Sequence, residues 1–401
     1  MKTKILRIFI VLIFISVSAL IIFFAVGLYK EQNPAETKPK IVNSDENRKE
    51  VIADSIFYVS NDSVIDMQPY KNKIIILANS TVVYLDEDGE SSVNKHNYAN
   101  PAVEIYKSNV LLYDRGGTHY RVENENGILF EYESEYPIYC ATLYKNNIAL
   151  STDSENANSY INVHNFRNET IFSANIVEQY VIKISFINSD TIAVSAVCTK
   201  DARIYSIIRV YEFDYASELF TETFFDETII DIFAKNKNHI NLISDTAFSQ
   251  YDYKKDVVNT FDTHSGVLLR AIVATSDYSR IGLLTSHYTN TENETLDIFK
   301  RNGDLLTSVV FLTNIKSISN NDKYIIVNFG NYSKHYTFSG EYVGSVSFNW
   351  GQTKSIVSGS KVYLLSQNNI YVFNVRGEYI MVDYQPEPPT IIEGNEEGVT
   401  D

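Results

Sequence analysis

The sequence predicts an all-β fold: a β-propeller of eight four-stranded blades, preceded by one N-terminal transmembrane helix. Three observations carry that expectation. Between Val64 and Tyr384 one pattern occurs eight times: an apolar strand, a short polar break, an Ile/Val/Leu strand, a second break, an aromatic strand and a turn. The second strands of successive units start 36 to 48 residues apart with no helical pattern between them, which is blade spacing and too long for solenoid coils. The distance from that start to a turn glycine is 15 residues in the first, seventh and eighth units, from Ile74 to Gly89, Ile325 to Gly340 and Val362 to Gly377. A β-sandwich would not keep one period over so long a stretch. Seven blades is the alternative if one unit, most readily the eighth with its short connections, is irregular.

Taken from the N-terminus, residues 1–7 form a basic stub with Lys2, Lys4 and Arg7, and residues 8–28 carry no charge. At about 1.5 Å per residue such a helix spans about 30 Å, a bilayer core. The basic flank orients it N-in and C-out. A cleaved signal peptide ending near Ala25-Val26-Gly27 is the competing reading, but the apolar run exceeds an ordinary signal core. Residues 29–54, polar and with Pro34 and Pro39, read as an extracytoplasmic tether. The propeller is expected over 55–385, and 386–401, rich in Pro and Glu, as a disordered acidic tail. Within the propeller, Ile56 to Ser60 should supply a strand that pairs with the last blade or caps the first.

The second strands begin at Ile74, Val110, Ile148, Ile192, Ile240, Ile281, Ile325 and Val362. Polar breakers such as Lys71-Asn72-Lys73, Lys107-Ser108-Asn109 and Lys145-Asn146-Asn147 precede them as hairpin turns. Aromatic third strands follow, as in Val82 to Leu85, Val210 to Phe213 and Ile370 to Phe373. Abundant Tyr (29) and Phe (22) with scarce Pro (8) suit half-buried pleated surfaces.

A net charge of −16, with no basic stripe, excludes nucleic acid as a partner. Cys140 and Cys198 read as small buried thiols rather than a disulfide. No zinc-protease, nucleophile-elbow, Cys-x-x-Cys or phosphate-loop motif occurs, so no catalytic residue, cofactor or metal is assigned. The acidic run Asp86-Glu87-Asp88-Gly89 lacks the ligand alternation of a calcium loop and reads as a turn. Seven dispersed histidines show no ligand spacing, and His119 and His335, beside third-strand tyrosines, should be half-exposed.

The second-to-third-strand connections are short in units one, five and eight. They are expanded in units three (Ser151 to Ser159), four (Thr199 to Tyr205) and six (Ser286 to Thr295). Blades share one strand polarity, so these connections leave on one face, which becomes the candidate binding face. Its candidate residues are Asp114, Arg115, Asp153, Glu155, Asp201, Arg203, His287 and Glu292. Neutral drift of loop length is the competing account.

The unit-two connection, Leu112 to Thr118, lies in the run VLLYDRGGTHYRV from Val110 to Val122, followed by Tyr136-Pro137-Ile138-Tyr139. That stretch resembles the domain-of-unknown-function family 5711, membrane-anchored β-propellers of Gram-positive bacteria. The resemblance implies a single N-terminal anchor and an exported propeller, and carries over no catalytic or ligand-binding residue. The acidic tail and the longer unit-six loop depart from the family pattern.

The functional expectation is a membrane-tethered, extracytoplasmic scaffold or protein-interaction module of the cell envelope, not an enzyme, whose partner is an envelope or secreted protein. The alternatives are a glycan or small-ligand binding module and a hydrolase or lyase using Asp, Glu and Tyr groups around the channel.

Overall fold

A computed structural model describes residues 40–42 and 57–377, apart from short stretches at 60–61, 90, 216–217, 237, 265, 288–292, 348–352 and 367. The transmembrane segment, most of the tether and the acidic tail lie outside the described residues. Eight β-sheets form the ring. Seven blades each contain four consecutive antiparallel strands, from Val64–Tyr70 at the inner edge of blade 1 to Tyr342–Ser347 at the outer edge of blade 7. Blade 8 has three strands of its own, Thr353–Ser358, Lys361–Ser366 and Asn369–Asn374, and takes its fourth, Phe57–Tyr58, from the start of the ring. The expected closing strand therefore pairs with the last blade. Every second strand begins one residue ahead of its expected start, as in Lys73–Ala78 and Asn109–Asp114.

One strand has no counterpart in the sequence reading. Lys40–Val42, in the stretch read as tether, runs parallel to Leu305–Phe311 and adds a fifth strand to blade 6. The outer strand of a blade leaves a row of unpaired backbone groups, and any extended apolar triplet within reach can take them.

Burial follows position in the blade. Second strands lie between two neighbouring blades and are apolar on both faces, so Ile74, Ile75, Ile76 and Leu77 are all buried. Outer strands alternate, as in Ser91–Lys95. The core divides into one apolar cluster for each of the eight blade interfaces. The blade 8–1 seam joins Ile356, Tyr363, Ile370 and Val372 to Ile74, Ile76, Val83 and Leu85. Blades 7 and 8 meet through Ile326, Val357, Val362 and Val375. With every seam filled, the ring is closed.

The outer turns require their glycines. Gly89, Gly340 and Gly377 have φ of 85°, 74° and 88°, and a Cβ on Gly377 would stand 2.1 Å from the Ser345 carbonyl oxygen. The inner turns use a different residue: Lys71, Lys107 and Lys145 hold φ of 52°, 57° and 54°.

Two expectations are corrected. The unit-four expansion is not a loop: the strands Thr191–Lys200 and Arg203–Glu212 pair in register along their whole length around a turn at Asp201-Ala202. Both turn residues adopt positive φ, the geometry of a two-residue hairpin that continues the strand twist. His335 is fully buried instead of half-exposed, while His119 is exposed. The His335 ring lies 2.9 Å from Ser333 Oγ and 2.7 Å from the Val375 carbonyl oxygen, across the blade 7–8 seam.

Burial pushes His335 down to about 4 from an ordinary value near 6.5, with the Val375 hydrogen bond opposing. Because the folded value is the lower one, the unfolded chain takes up the proton first as pH falls. Stability should therefore be complete above about pH 6.5 and decline by about 3 kcal/mol toward pH 4. Denaturant melts across that range should show a shallower decline for His335→Gln than for the parent chain. Parallel slopes would remove His335 as the cause.

Candidate functional site

Strand polarity divides the ring into two faces. Second-to-third-strand connections and the crossings between blades leave on one, here the upper face; first-to-second and third-to-fourth turns leave on the other, the lower face. Seven of the eight sequence candidates are described, all at upper-face positions; Glu292 lies outside the described residues. They are distributed over blades 2, 3, 4 and 6 and do not line one cavity.

Asp114 and Arg115 belong to a staple between blades 2 and 3. Asp114 Oδ1 accepts the Asn100 amide at 2.7 Å, and the Arg115 amide donates to the Asn100 carbonyl oxygen at 3.0 Å. The Gly116 amide donates to Ile138 O at 2.8 Å, and the Ile138 amide returns to Gly117 O at 2.8 Å. Gly117 is required because a Cβ there would meet the Asp114 carboxylate at 2.4 Å. The Tyr-Asp-Arg-Gly-Gly motif thus fastens the first strand of blade 3 to the preceding blade. The Arg115 side chain is exposed, with Nη2 at 3.4 Å from Asn100 Oδ1.

In blade 3, Asp153 Oδ1 accepts the Ser154 amide at 2.8 Å, while Glu155 is exposed at the edge of a 420 Å³ groove with Tyr136, Tyr160 and Glu135. Arg203 pairs with Asp226 at 3.6 Å beside the exposed Asp201, and His287 ends the second strand of blade 6 in an exposed position.

The most prominent feature of this face is the blade 4 hairpin. Its two strands are ten residues long, against six for the second strands of blades 1, 2 and 3. At about 3.3 Å per residue the four extra residues project it about 13 Å. Near its tip lie Ile204 (53% exposed) and Phe225 (73%), with Val177 (58%) on the crossing from blade 3 and Tyr180 (52%) opening the first strand of blade 4, opposite Val197. The Phe225 ring lies 5.8 Å from that of Tyr205, its cross-strand partner. Four large apolar side chains are thus exposed toward the upper end of blade 4, near Asp201, Arg203 and Asp226, with Ile204 and Phe225 on opposite sides of the hairpin; water-exposed surfaces seldom carry so many without a partner. Sequence reasoning placed Ile204 in an expanded connection and did not single out Phe225, Val177 or Tyr180, since a lone apolar residue in a strand carries no mark of exposure.

The channel wall was missed as well. Lys183, on the first strand of blade 4, lies 3.9 Å from Glu104 of blade 2 and 3.6 Å from Asp231 of blade 5. Lys354 pairs with Asp66 between blades 8 and 1, and Arg270 with the buried Glu294 at 3.5 Å. Burial alone would lower the Lys183 ammonium, but Asp231 and Glu104 outweigh it and hold it above its ordinary value. Burial raises the Glu104 carboxyl against the pull of Lys183, and pushes the nearby Cys140 thiol up to about 12. Both cysteines are unpaired thiols. A charge within an otherwise apolar first strand, as at Asp66, Lys183 and Asp231, was the available signal.

Together these features define the class: a closed eight-bladed β-propeller with one elaborated, partly apolar face. The chain belongs to the family of unknown function DUF5711, whose model matches residues 44–375. Among solved structures it is similar to the C-terminal WD40 domain of Sif2, with TM-score 0.57 and 11% identity over 82% of this chain and 100% of that one. It is also similar to Sqt1 of Saccharomyces cerevisiae, with TM-score 0.56 and 10% identity over 80% and 97% of the two chains. A eukaryotic initiation factor aligns with TM-score 0.52 and 12% identity over 82% and 89%. At these identities the likeness is one of fold. No curated protein sequence matches the chain.

Proposed function

We propose that this protein is a non-catalytic protein-interaction module, held outside the cell membrane by the segment 8–28, that docks an envelope or secreted protein on its upper face. The observation that carries the reading is the projecting blade 4 hairpin, with Ile204 and Phe225 exposed near its tip and Val177 and Tyr180 exposed at its base. Interfaces draw most of their affinity from a few large apolar or aromatic anchors enclosed by a polar rim, and this tip offers both. The long uncharged run and its basic flank support the anchor and its orientation.

The test is proximity labelling in the native host with two variants of the full chain. Ile204→Asp/Phe225→Asp should deplete specific neighbours at least tenfold, as expected for losing about 1.4 kcal/mol or more of interface energy. Tyr342→Asp, an equally exposed aromatic (54%) at the lower end of blade 7, should leave them unchanged. Thermal unfolding of both variants should match the parent, since exposed positions carry little folding energy. Equal labelling by both variants would remove the upper face from the reading.

A further inference from the structure

We propose that the lower-face mouth of the central channel is a binding site for an anionic oligomer whose charge comes from phosphate or carboxylate groups. In blades 1, 2 and 3 a tyrosine ends the first strand and a lysine opens the turn: Tyr70-Lys71, Tyr106-Lys107 and Tyr144-Lys145. In blade 7 Lys323 precedes Tyr324 at the start of the second strand. The mouth is a cavity of about 1200 Å³, and Tyr106, Tyr144, Tyr324, Lys71, Lys107 and Lys323 line it.

Charge decides the ligand class. The only carboxylate lining the mouth among the described residues is Asp322, already held by the Ser276 amide at 2.5 Å and its Oγ at 2.8 Å. Lys71 is paired with Glu125 at 2.7 Å. Lys107 and Lys323 form no ion pair among the described residues, and their ammonium groups stand 5.7 Å and 5.1 Å from the rings of Tyr106 and Tyr324. In a chain of net charge −16, the lining of this concave opening, among the described residues, thus carries three lysines against the single carboxylate of Asp322, with Lys107 and Lys323 outside any ion pair. Field lines focus in such a cleft, and an anion gains more there than on an open surface.

The backbone points the same way. Two-residue hairpin turns set their first residue at positive φ, so Lys71, Lys107 and Lys145 take the same place in three successive blades, the first two of them on the mouth. The two unpaired lysines sit in blades 2 and 7, well separated around the mouth, so a single small anion would meet one of them and an oligomer can reach both. This site lies on the face opposite the proposed protein-docking surface, so either assignment can fail without the other.

The experiment is calorimetric titration of the full chain in detergent with inorganic polyphosphate and, separately, with oligogalacturonate. At least one should bind, more weakly as salt rises, and which one binds distinguishes phosphate from carboxylate. Lys107→Ala/Lys323→Ala should weaken that binding about tenfold. Lys107→Arg/Lys323→Arg should retain it, which separates loss of charge from loss of fold. Lys200→Ala, on the upper-face hairpin, should have no effect. The proposal is overturned if neither probe binds, if the double alanine variant binds as the parent does, or if Lys200→Ala weakens binding equally.

Discussion

Arg121→Ala should cost the ring about 3–5 kcal/mol, the penalty for stranding a buried charge. Arg121 (3% exposed) and Glu123 (fully buried) stand two residues apart on the third strand of blade 2, facing blade 1. The Arg121 Nε donates to Glu123 Oε2 at 2.6 Å, and its Nη1 donates to the Lys95 carbonyl oxygen at 2.7 Å, on the outer strand of blade 1. Glu123 Oε1 accepts from the Tyr84 hydroxyl at 3.0 Å and Asn94 Nδ2 at 3.2 Å, both also in blade 1. This ion pair is the buried polar link of the blade 1–2 seam, beside the more exposed Lys71–Glu125 pair, and removing its cation leaves a carboxylate in a place water does not reach.

Replacing both partners is a different matter. Arg121→Met/Glu123→Leu removes both charges together, and the apolar pair should recover most of the loss although Tyr84 and Asn94 give up an acceptor. Equilibrium denaturation followed by circular dichroism distinguishes the two variants. A loss below about 1 kcal/mol for Arg121→Ala would mean that the pair is solvated and that the seam rests on its apolar cluster alone. In that case the apolar cluster of Tyr70, Val82, Val103 and Leu112 would hold the two blades with only the peripheral polar contacts, such as Lys71–Glu125, beside it.

The contrast between this pair and the strand pattern shows what a sequence can carry. Blade number, strand order and turn positions are local properties: a buried strand at Ile74 to Leu77, a turn glycine fifteen residues on, a polar break before. They repeat, and repetition exposes them. For Arg121 and Glu123, nothing nearby in sequence says that a neighbouring blade covers them. Ile204 falls in the stretch Thr199 to Tyr205 that the sequence presents as an expanded connection, and Phe225 carries no mark in the sequence at all; the hairpin outruns its neighbours and leaves both in water. The Glu104, Lys183 and Asp231 contacts join blades 2, 4 and 5, and only closure of the ring brings those strands face to face. The candidate loop residues were legible as to face, since strand polarity sets the face, but not as to contacts. Asp114 illustrates this: its carboxylate holds the Asn100 amide, a partner fourteen residues back and past two strand ends.

Closure is also where the second large effect is expected. Val59→Asp should destabilise the chain by about 4 kcal/mol, whereas Tyr58→Asp, one residue away, should change stability by no more than about 0.5 kcal/mol. The two positions differ only in the direction they face. Tyr58 is 53% exposed, while Val59 is 3% exposed and sits in the seam with Ile356, Tyr363, Ile370 and Val372 of blade 8 and Ile74 and Ile76 of blade 1. The Val59 amide donates to Asn368 O at 2.8 Å, extending the antiparallel pairing of Phe57–Tyr58 with Asn369–Asn374. A carboxylate at 59 finds no cation in that apolar cluster, so the fourth strand of blade 8 must leave or the charge must stay buried and unpaired. Leaving exposes the edge of Asn369–Asn374, a ready template for pairing with another chain. Val59→Asp should therefore also show concentration-dependent association by light scattering, and Tyr58→Asp should not. Equal behaviour of the two variants would mean that the N-terminal strand does not close the ring, and that blade 8 is held by its seam with blade 7 instead.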